Sequence, residues 1–375
     1  MINTLLKEKS VWEKLMVTRK PIILYGMGDG ADRVLQEFEL LNIHASGVMA
    51  SDDFVRGQSF HKFTVKTLAQ IKEEFKDFII LITFGTHIPE VMANIKALEK
   101  EYEVMIPSIP VAGECIFNRS YIVRNGEEII NAYNLMADEE SKEVFKNMCY
   151  FEYTGELKYL YAMESSKDEA FKILNLNSEE DYLDLGAYRG DTIDEFLKYT
   201  CNHYHSITAL EPEPKTFKKL VEAKGDLENT TLLNKAVWSF VTELEFRADM
   251  GRGSLIKNNG GLLAETVSID SLAEDTKFTY IKMDVEGVEF VALSGGMTLM
   301  AEHKPKLNIA CYHRCCDIYR LPAVIIEPTL TTKYICDTIH ISHVGTQTYI
   351  VYKIFIQKNK HSILLILCFV VIFIP

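Results

Sequence analysis

Four short stretches of this chain carry residue types and spacings that could do chemistry. The first is Asp-Tyr-Leu-Asp-Leu-Gly-Ala-Tyr-Arg-Gly-Asp, residues 181–191, where Asp184 closes an apolar run and Gly186 and Gly190 follow it. A glycine turn between a strand and a helix brings bare backbone and a helix N-terminus close to a ligand. Asp184 would repel a phosphate there and suits a cation. A zwitterionic amino acid beside a sulfonium, as in S-adenosylmethionine, has that charge. The second stretch is Glu211-Pro212-Glu213-Pro214, just after the apolar run 207–210. An acid at the end of the second strand, about 20 residues past the glycine turn, is where a ribose diol is gripped. The third, Asp284-Val285-Glu286-Gly287, puts two acids after the strand-like run 279–283. The fourth is Tyr312-His313, with Asp317 one turn on, after the run 306–311. A histidine at a strand's carboxyl end beside acids is placed for proton work near neutral pH.

These groups meet only if the runs before them are parallel strands of one sheet, because ligands of open α/β sheets bind outside the strands' carboxyl ends. The pattern supports that. Apolar runs of strand length alternate with helical periodicity at Ile193, Phe196 and Leu197, at Phe217, Leu220 and Val221, and at Val288, Val291, Ala292 and Leu293. Asn234 to Trp238 is read as the third strand and Leu244 to Arg247 as an outlying β segment. A polar, glycine-rich loop runs from Gly251 to Gly261, and Arg252 within it is a candidate for an anionic group on a substrate or a plain surface residue.

Upstream, residues 1–20 read as one amphipathic helix ended by Pro21. A smaller Rossmann-like α/β domain follows, with strands at 22–25, 43–49, 78–83 and 104–109. Gly26, Gly28, Gly30 and Ala31 give it a GxGxxA flavour, which points either to a nucleotide or to an inert domain that presents its neighbour. Residues 127–176 interleave charges with Ile129, Leu135, Val144, Phe145, Leu157, Leu160, Phe171 and Leu174 at helical spacing, as two or three connecting helices would. The expected organisation is a Rossmann-like domain at 1–115, a mainly helical connector at 116–177, a second α/β domain at 178–322, and an aberrant tail at 323–375.

A chain of 375 residues is long for a single core. Its net charge of -13 argues against a nucleic-acid partner, since phosphate neutralisation needs clustered Lys and Arg. Residues 1–20 are charged throughout and have no apolar core, so no secretory signal is expected there. Eight cysteines without CxxC pairing fit reduced thiols, so a cytoplasmic setting is expected. No cluster of His and Asp has ligand spacing, so no metal is expected, a divalent ion held by Asp284 and Glu286 being the alternative.

From Leu183 to Asp317 the chain resembles the FkbM family of S-adenosylmethionine-dependent methyltransferases. The matching pieces are Leu-Asp-Leu-Gly-Ala-Tyr-Arg-Gly-Asp (183–191), Ala-Leu-Glu-Pro-Glu-Pro (209–214), Asn-Lys-Ala-Val-Trp (234–238), Val-Ser-Ile-Asp-Ser-Leu (267–272), Ile-Lys-Met-Asp-Val-Glu-Gly-Val-Glu (281–289) and Tyr-His-Arg-Cys-Cys-Asp (312–317). The resemblance implies a class I methyltransferase sheet. It also implies methylation of a hydroxyl on a glycan, a sugar precursor or a small metabolite. Asp184, Gly186, Ala187, Tyr188, Gly190, Asp191, Glu211, Pro212, Ala236 and Val237 would then line the cofactor. His313 is the candidate base, with Asp284 or Glu286 as the alternative. Two other classes stay open: an NAD(P)-dependent oxidoreductase using the glycines at 26–30, and a non-catalytic scaffold that keeps the fold.

The pattern fades after Pro322, and residues 363–375 are wholly apolar, fewer than the 18 or so needed to span a bilayer. No membrane association is expected. Family members end near Arg-His-His and Trp-Asp-Thr-Asn-Leu-Tyr pieces, absent here. Codons for Thr332 to Val351, read two bases out of register, permit KIYLRHHPYIPCWDTNLYC. A frameshift between Leu321 and Thr332 is therefore the sequence-level expectation, and with it a sheet lacking its closing strands.

Overall fold

A computed structural model of the chain describes residues 1–86, 88–113, 115–136, 139–164, 167–247, 255–256, 262–326, 333–344, 347–358 and 361–370. The entry segment is two short helices, Ile2–Leu5 and Val11–Val17, rather than one. Ser10 is the reason: its hydroxyl accepts from the Glu13 amide at 3.0 Å while its own amide donates to Glu13 Oε2 at 2.8 Å. This reciprocal cap starts a new helix.

The first sheet contains β1 (Ile22–Tyr25), β2 (Gly47–Met49), β3 (Ser59–Phe60), β4 (Phe63–Lys66), β5 (Ile79–Ile82) and β6 (Glu103–Met105), in the order β3-β4-β2-β1-β5-β6. All pairings are parallel except β3 with β4. β1 and β5 are buried along their whole length, which is why both read as unbroken apolar runs. The β3–β4 hairpin has too little apolar alternation to stand out in the sequence.

Four helices follow, Arg119–Leu135, Glu139–Thr154, Leu157–Tyr161 and Lys167–Leu174, where periodicity pointed to two or three. The second sheet then begins with β7 (Asp181–Leu185), β8 (Ser206–Leu210) and β9 (Thr230–Leu233). A small side sheet is made by β10 (Ala236–Val237), β11 (Glu243–Arg247), β12 (Leu255–Ile256) and β13 (Leu262–Val267). The main sheet resumes with β14 (Tyr280–Met283) and β15 (Lys306–Ala310), both parallel to β7. The third strand of this sheet is thus 230–233, not 234–238: Ala236 and Val237 pair instead with Thr266 and Val267 of β13.

Residues 333–370 contain β16 (Lys333–Val344), β17 (Gln347–Lys358) and β18 (His361–Val370). These give the main sheet the order β16-β17-β18-β15-β14-β7-β8-β9. Sequence pattern led to no closing strands here, yet β18 lies parallel to β15, with Leu307 opposite Leu365. β-Branched and aromatic content such as Tyr349-Ile350-Val351-Tyr352 favours the extended chain. Among the described residues no helix is long and apolar enough to cross a membrane.

The two sheets and the connector share one buried cluster. It contains Ile23 and Ile80 of the first sheet, Ile129 and Phe145 of the connector, and Leu183 and Ile281 of the second. The core is therefore continuous across residues 115 and 177.

Candidate active site

The glycine turn leaves β7 at Gly186, whose φ of 83° is left-handed, and enters the helix Asp191–Tyr199 at Gly190, with φ 88°. Tyr188 between them also sits at positive φ, 48°. An added Cβ on Gly186 would fall on the carbonyl oxygen of Asp284. The glycine thus lets β7 and the Asp284 turn approach each other. Ala187 is buried beneath the turn, and Asp191 is exposed at the start of the helix.

Asp184 does not face the open end of the sheet. It is fully buried, and its cross-strand neighbour in the β7–β14 register is Lys282. The Lys282 ammonium lies 3.2 Å from Asp184 Oδ1 and donates to the Gly186 carbonyl at 2.7 Å; Thr192 donates to Asp184 Oδ2 at 2.5 Å. Burial alone would lower the Lys282 pKa, but Asp184, Asp284 and Asp191 together raise it, so the ammonium stays charged. This buried pair fixes the turn's backbone from below. The sequence reading missed Lys282, although a lysine inside Tyr280-Ile281-Lys282-Met283 announces a buried partner.

Glu211 stands at the end of β8 facing the turn. Its two carboxylate oxygens accept separate amides, Tyr188 N at 3.1 Å and Glu213 N at 2.9 Å. Burial nonetheless pushes its pKa up to about 7, against those two amides. The neighbouring chain is clamped by Asn234, which donates to the carbonyls of Glu211 and Pro212 at 2.8 and 3.0 Å. Ala236 and Val237, both buried, follow that clamp. Replacing Asn234 with alanine should cost about 1 kcal/mol in a denaturant titration. A change indistinguishable from zero would mean the clamp does not hold.

The second half of the site is an acidic corner built by β14 and β15. His313 is completely buried. Its Nδ1 lies 2.8 Å from Glu289 Oε1, and its Nε2 lies 3.5 Å from Asp284 Oδ1 and 3.4 Å from Glu286 Oε2. Burial would push the imidazole down, but Glu289 and Glu286 more than offset it and hold it well above its ordinary pKa. A base near neutral pH was expected; the flanking carboxylates instead favour the charged form of this imidazole. Tyr312 donates to Asp284 Oδ1 at 3.0 Å. Asp317 is buried behind, accepting from the Arg314 amide at 2.8 Å, with burial raising its pKa to about 8. Glu286 and Gly287 both adopt positive φ, 58° and 94°, a strained turn of the kind found where function over-determines the backbone.

A strap from the first domain covers this corner. Arg33 donates to the carbonyls of Pro110 and Val111 at 2.9 and 2.7 Å, and Ala112 N donates to the His313 carbonyl at 2.8 Å. A Cβ on Gly287 would meet Ala112. At the other glycine-rich turn, Gly26 is explained by packing, since a side chain there would strike Thr83. The helix that follows carries Asp29 and Asp32 in its first turn, which opposes a pyrophosphate.

The structure therefore brings Gly186, Tyr188, Gly190 and Glu211 together, and separately Asp284, Glu286, His313 and Asp317. Residues 251–254 and 257–261, including Arg252, lie outside the described residues.

A parallel sheet with a glycine turn after β7 and acids at the ends of β8 and β14 is the Rossmann-like methyltransferase fold. A methyltransferase FkbM from Methylobacillus flagellatus has this architecture at a TM-score of 0.66 and 16% identity, over 93% of this chain and 96% of that one. An S-adenosylmethionine-dependent methyltransferase from Clostridium acetobutylicum aligns over 56% of this chain and 76% of its own at 12% identity; its TM-score of 0.23 carries no argument. No curated protein sequence matches the chain. Residues 184–339 match the model of the methyltransferase FkbM domain, running past Pro322 where the sequence pattern fades. Over residues 184–339 the chain therefore carries a methyltransferase FkbM domain.

Proposed function

We propose that this methyltransferase uses S-adenosylmethionine to methylate a hydroxyl of a small-molecule or glycan acceptor, in a cytoplasmic setting. The observation that carries the reading is Glu211. It is a buried carboxylate that holds the turn through two amides and keeps further lone pairs for a vicinal diol. The residues fit the group. Gly186 and Gly190 leave backbone bare at the turn, and Lys282 holds the Gly186 carbonyl in place.

When bound, S-adenosylmethionine supplies a methyl on a sulfonium, already attached to a good leaving group. The chain's task is alignment and removal of the acceptor's proton. Without a metal ion the flanking carboxylates favour the charged form of His313, which leaves Asp284 and Glu286 to draw that proton. Cysteines outside any disulfide, such as Cys149 and Cys201, are consistent with a reducing compartment.

Calorimetric titration with S-adenosylmethionine, and separately with NAD, tests the assignment. Saturable binding of the first and none of the second is expected. NAD binding alone would make the oxidoreductase reading correct, and binding of neither by a folded sample would leave the scaffold.

A further inference from the structure

The acidic corner has a geometry that hydrogen bonding leaves unexplained. His313 is wholly buried, and its Nε2 makes no hydrogen bond although two carboxylates face it at 3.4 and 3.5 Å. Ligand atoms of Asp284, Glu286 and His313 all lie within 4.8 Å of one another. Donors bonded at about 2.0–2.1 Å to one tetrahedral ion stand roughly 3.4 Å apart. We propose that Asp284, Glu286 and His313 Nε2 hold a single divalent transition-metal ion, such as Mn2+ or Zn2+, at the mouth of the active site.

The surroundings agree. Glu289 Oε1, 2.8 Å from Nδ1, would take the proton of that edge and turn Nε2's lone pair toward the ion, the carboxylate–histidine–metal relay common around such ions. One imidazole with two carboxylates suits a borderline cation better than a soft one. A second acid–histidine group, Glu289, His313 and Asp317, is buried on every member and offers no entry. Asp284 and Glu286 instead keep 17% and 20% of their side-chain surface exposed, which leaves positions for water or an acceptor oxygen. An acceptor hydroxyl bound there would lose its proton more readily, as metal-bound water does. That role rests on the methyltransferase reading; the binding of the ion does not.

The test is titration of chelator-stripped, untagged full-length protein with MnCl2, following free Mn2+ by electron paramagnetic resonance, without S-adenosylmethionine. One ion per chain is expected, bound about 100-fold more weakly by Glu286→Gln and by Asp284→Asn. No saturable binding by folded wild type, or equal binding by both variants, would overturn the site. Should the variants fail to fold, the unmodified chain still decides. Mn2+ must broaden the His313 ring resonances while leaving exposed His61 and His205 sharp, and the opposite pattern refutes the proposal. A calorimetric titration of the stripped protein with S-adenosylmethionine separates failure of this site from failure of the cofactor assignment.

Discussion

Glu211→Ala is expected to weaken S-adenosylmethionine binding about 100- to 1,000-fold. A hydrogen bond to a charged acceptor is worth roughly 1.5–3 kcal/mol, and the diol would make two. The substitution also frees the amides of Tyr188 and Glu213, so the turn loses its tie to β8. The burial-raised pKa of about 7 adds a pH signature. Below that pH the carboxyl is neutral and accepts fewer bonds, so affinity should fall as pH drops from 8 to 6. Stability runs the other way. An acid whose folded pKa is raised contributes stability below its unfolded value near 4.5, lost as pH rises through about 7. Glu211→Gln should therefore bind poorly at every pH, and the loss of stability between about pH 4.5 and 7 should disappear with it. Unchanged affinity in calorimetry with Glu211→Ala would remove the carboxylate from the cofactor site.

Gly186→Ala should destabilise the fold by about 2–5 kcal/mol. Left-handed backbone costs a non-glycine residue roughly 1–2 kcal/mol, and a clash in a packed interior roughly 1–3 more. Here the obstacle is the Asp284 carbonyl, part of a neighbouring strand's turn that cannot swing aside as a flexible side chain would. The alanine would push β7 from β14, whose register also aligns Asp184 with Lys282. A melting temperature within a degree of wild type would contradict this reading of the turn.

Much of this arrangement was legible in the sequence. β7, β8, β14 and β15 are short apolar runs, and their last residues deliver Glu211, Asp284 and His313. What was not legible depends on register. Asp184 looked like a ligand group because nothing in its own segment names Lys282, almost 100 residues on, as its cross-strand partner. His313 looked like a base because the number of carboxylates around a histidine is a property of packing, not spacing. Ala236 and Val237 looked like the third sheet strand because a two-residue strand paired with β13 has the same local pattern. The closing strands were missed because composition signals extended chain but not which edge it joins.

The strap from Pro110 to Ala112 has an evolutionary and practical consequence. Its Ala112 amide is bonded to the histidine of the acidic corner, and Arg33 anchors it in the first sheet. The N-terminal half is thus tied to the backbone that carries His313, and neither can be exchanged like a cassette. A recombinant that grafted this half onto another leader would inherit the acids but leave the His313 carbonyl without its Ala112 partner, so the two halves are expected to have been shaped as one unit.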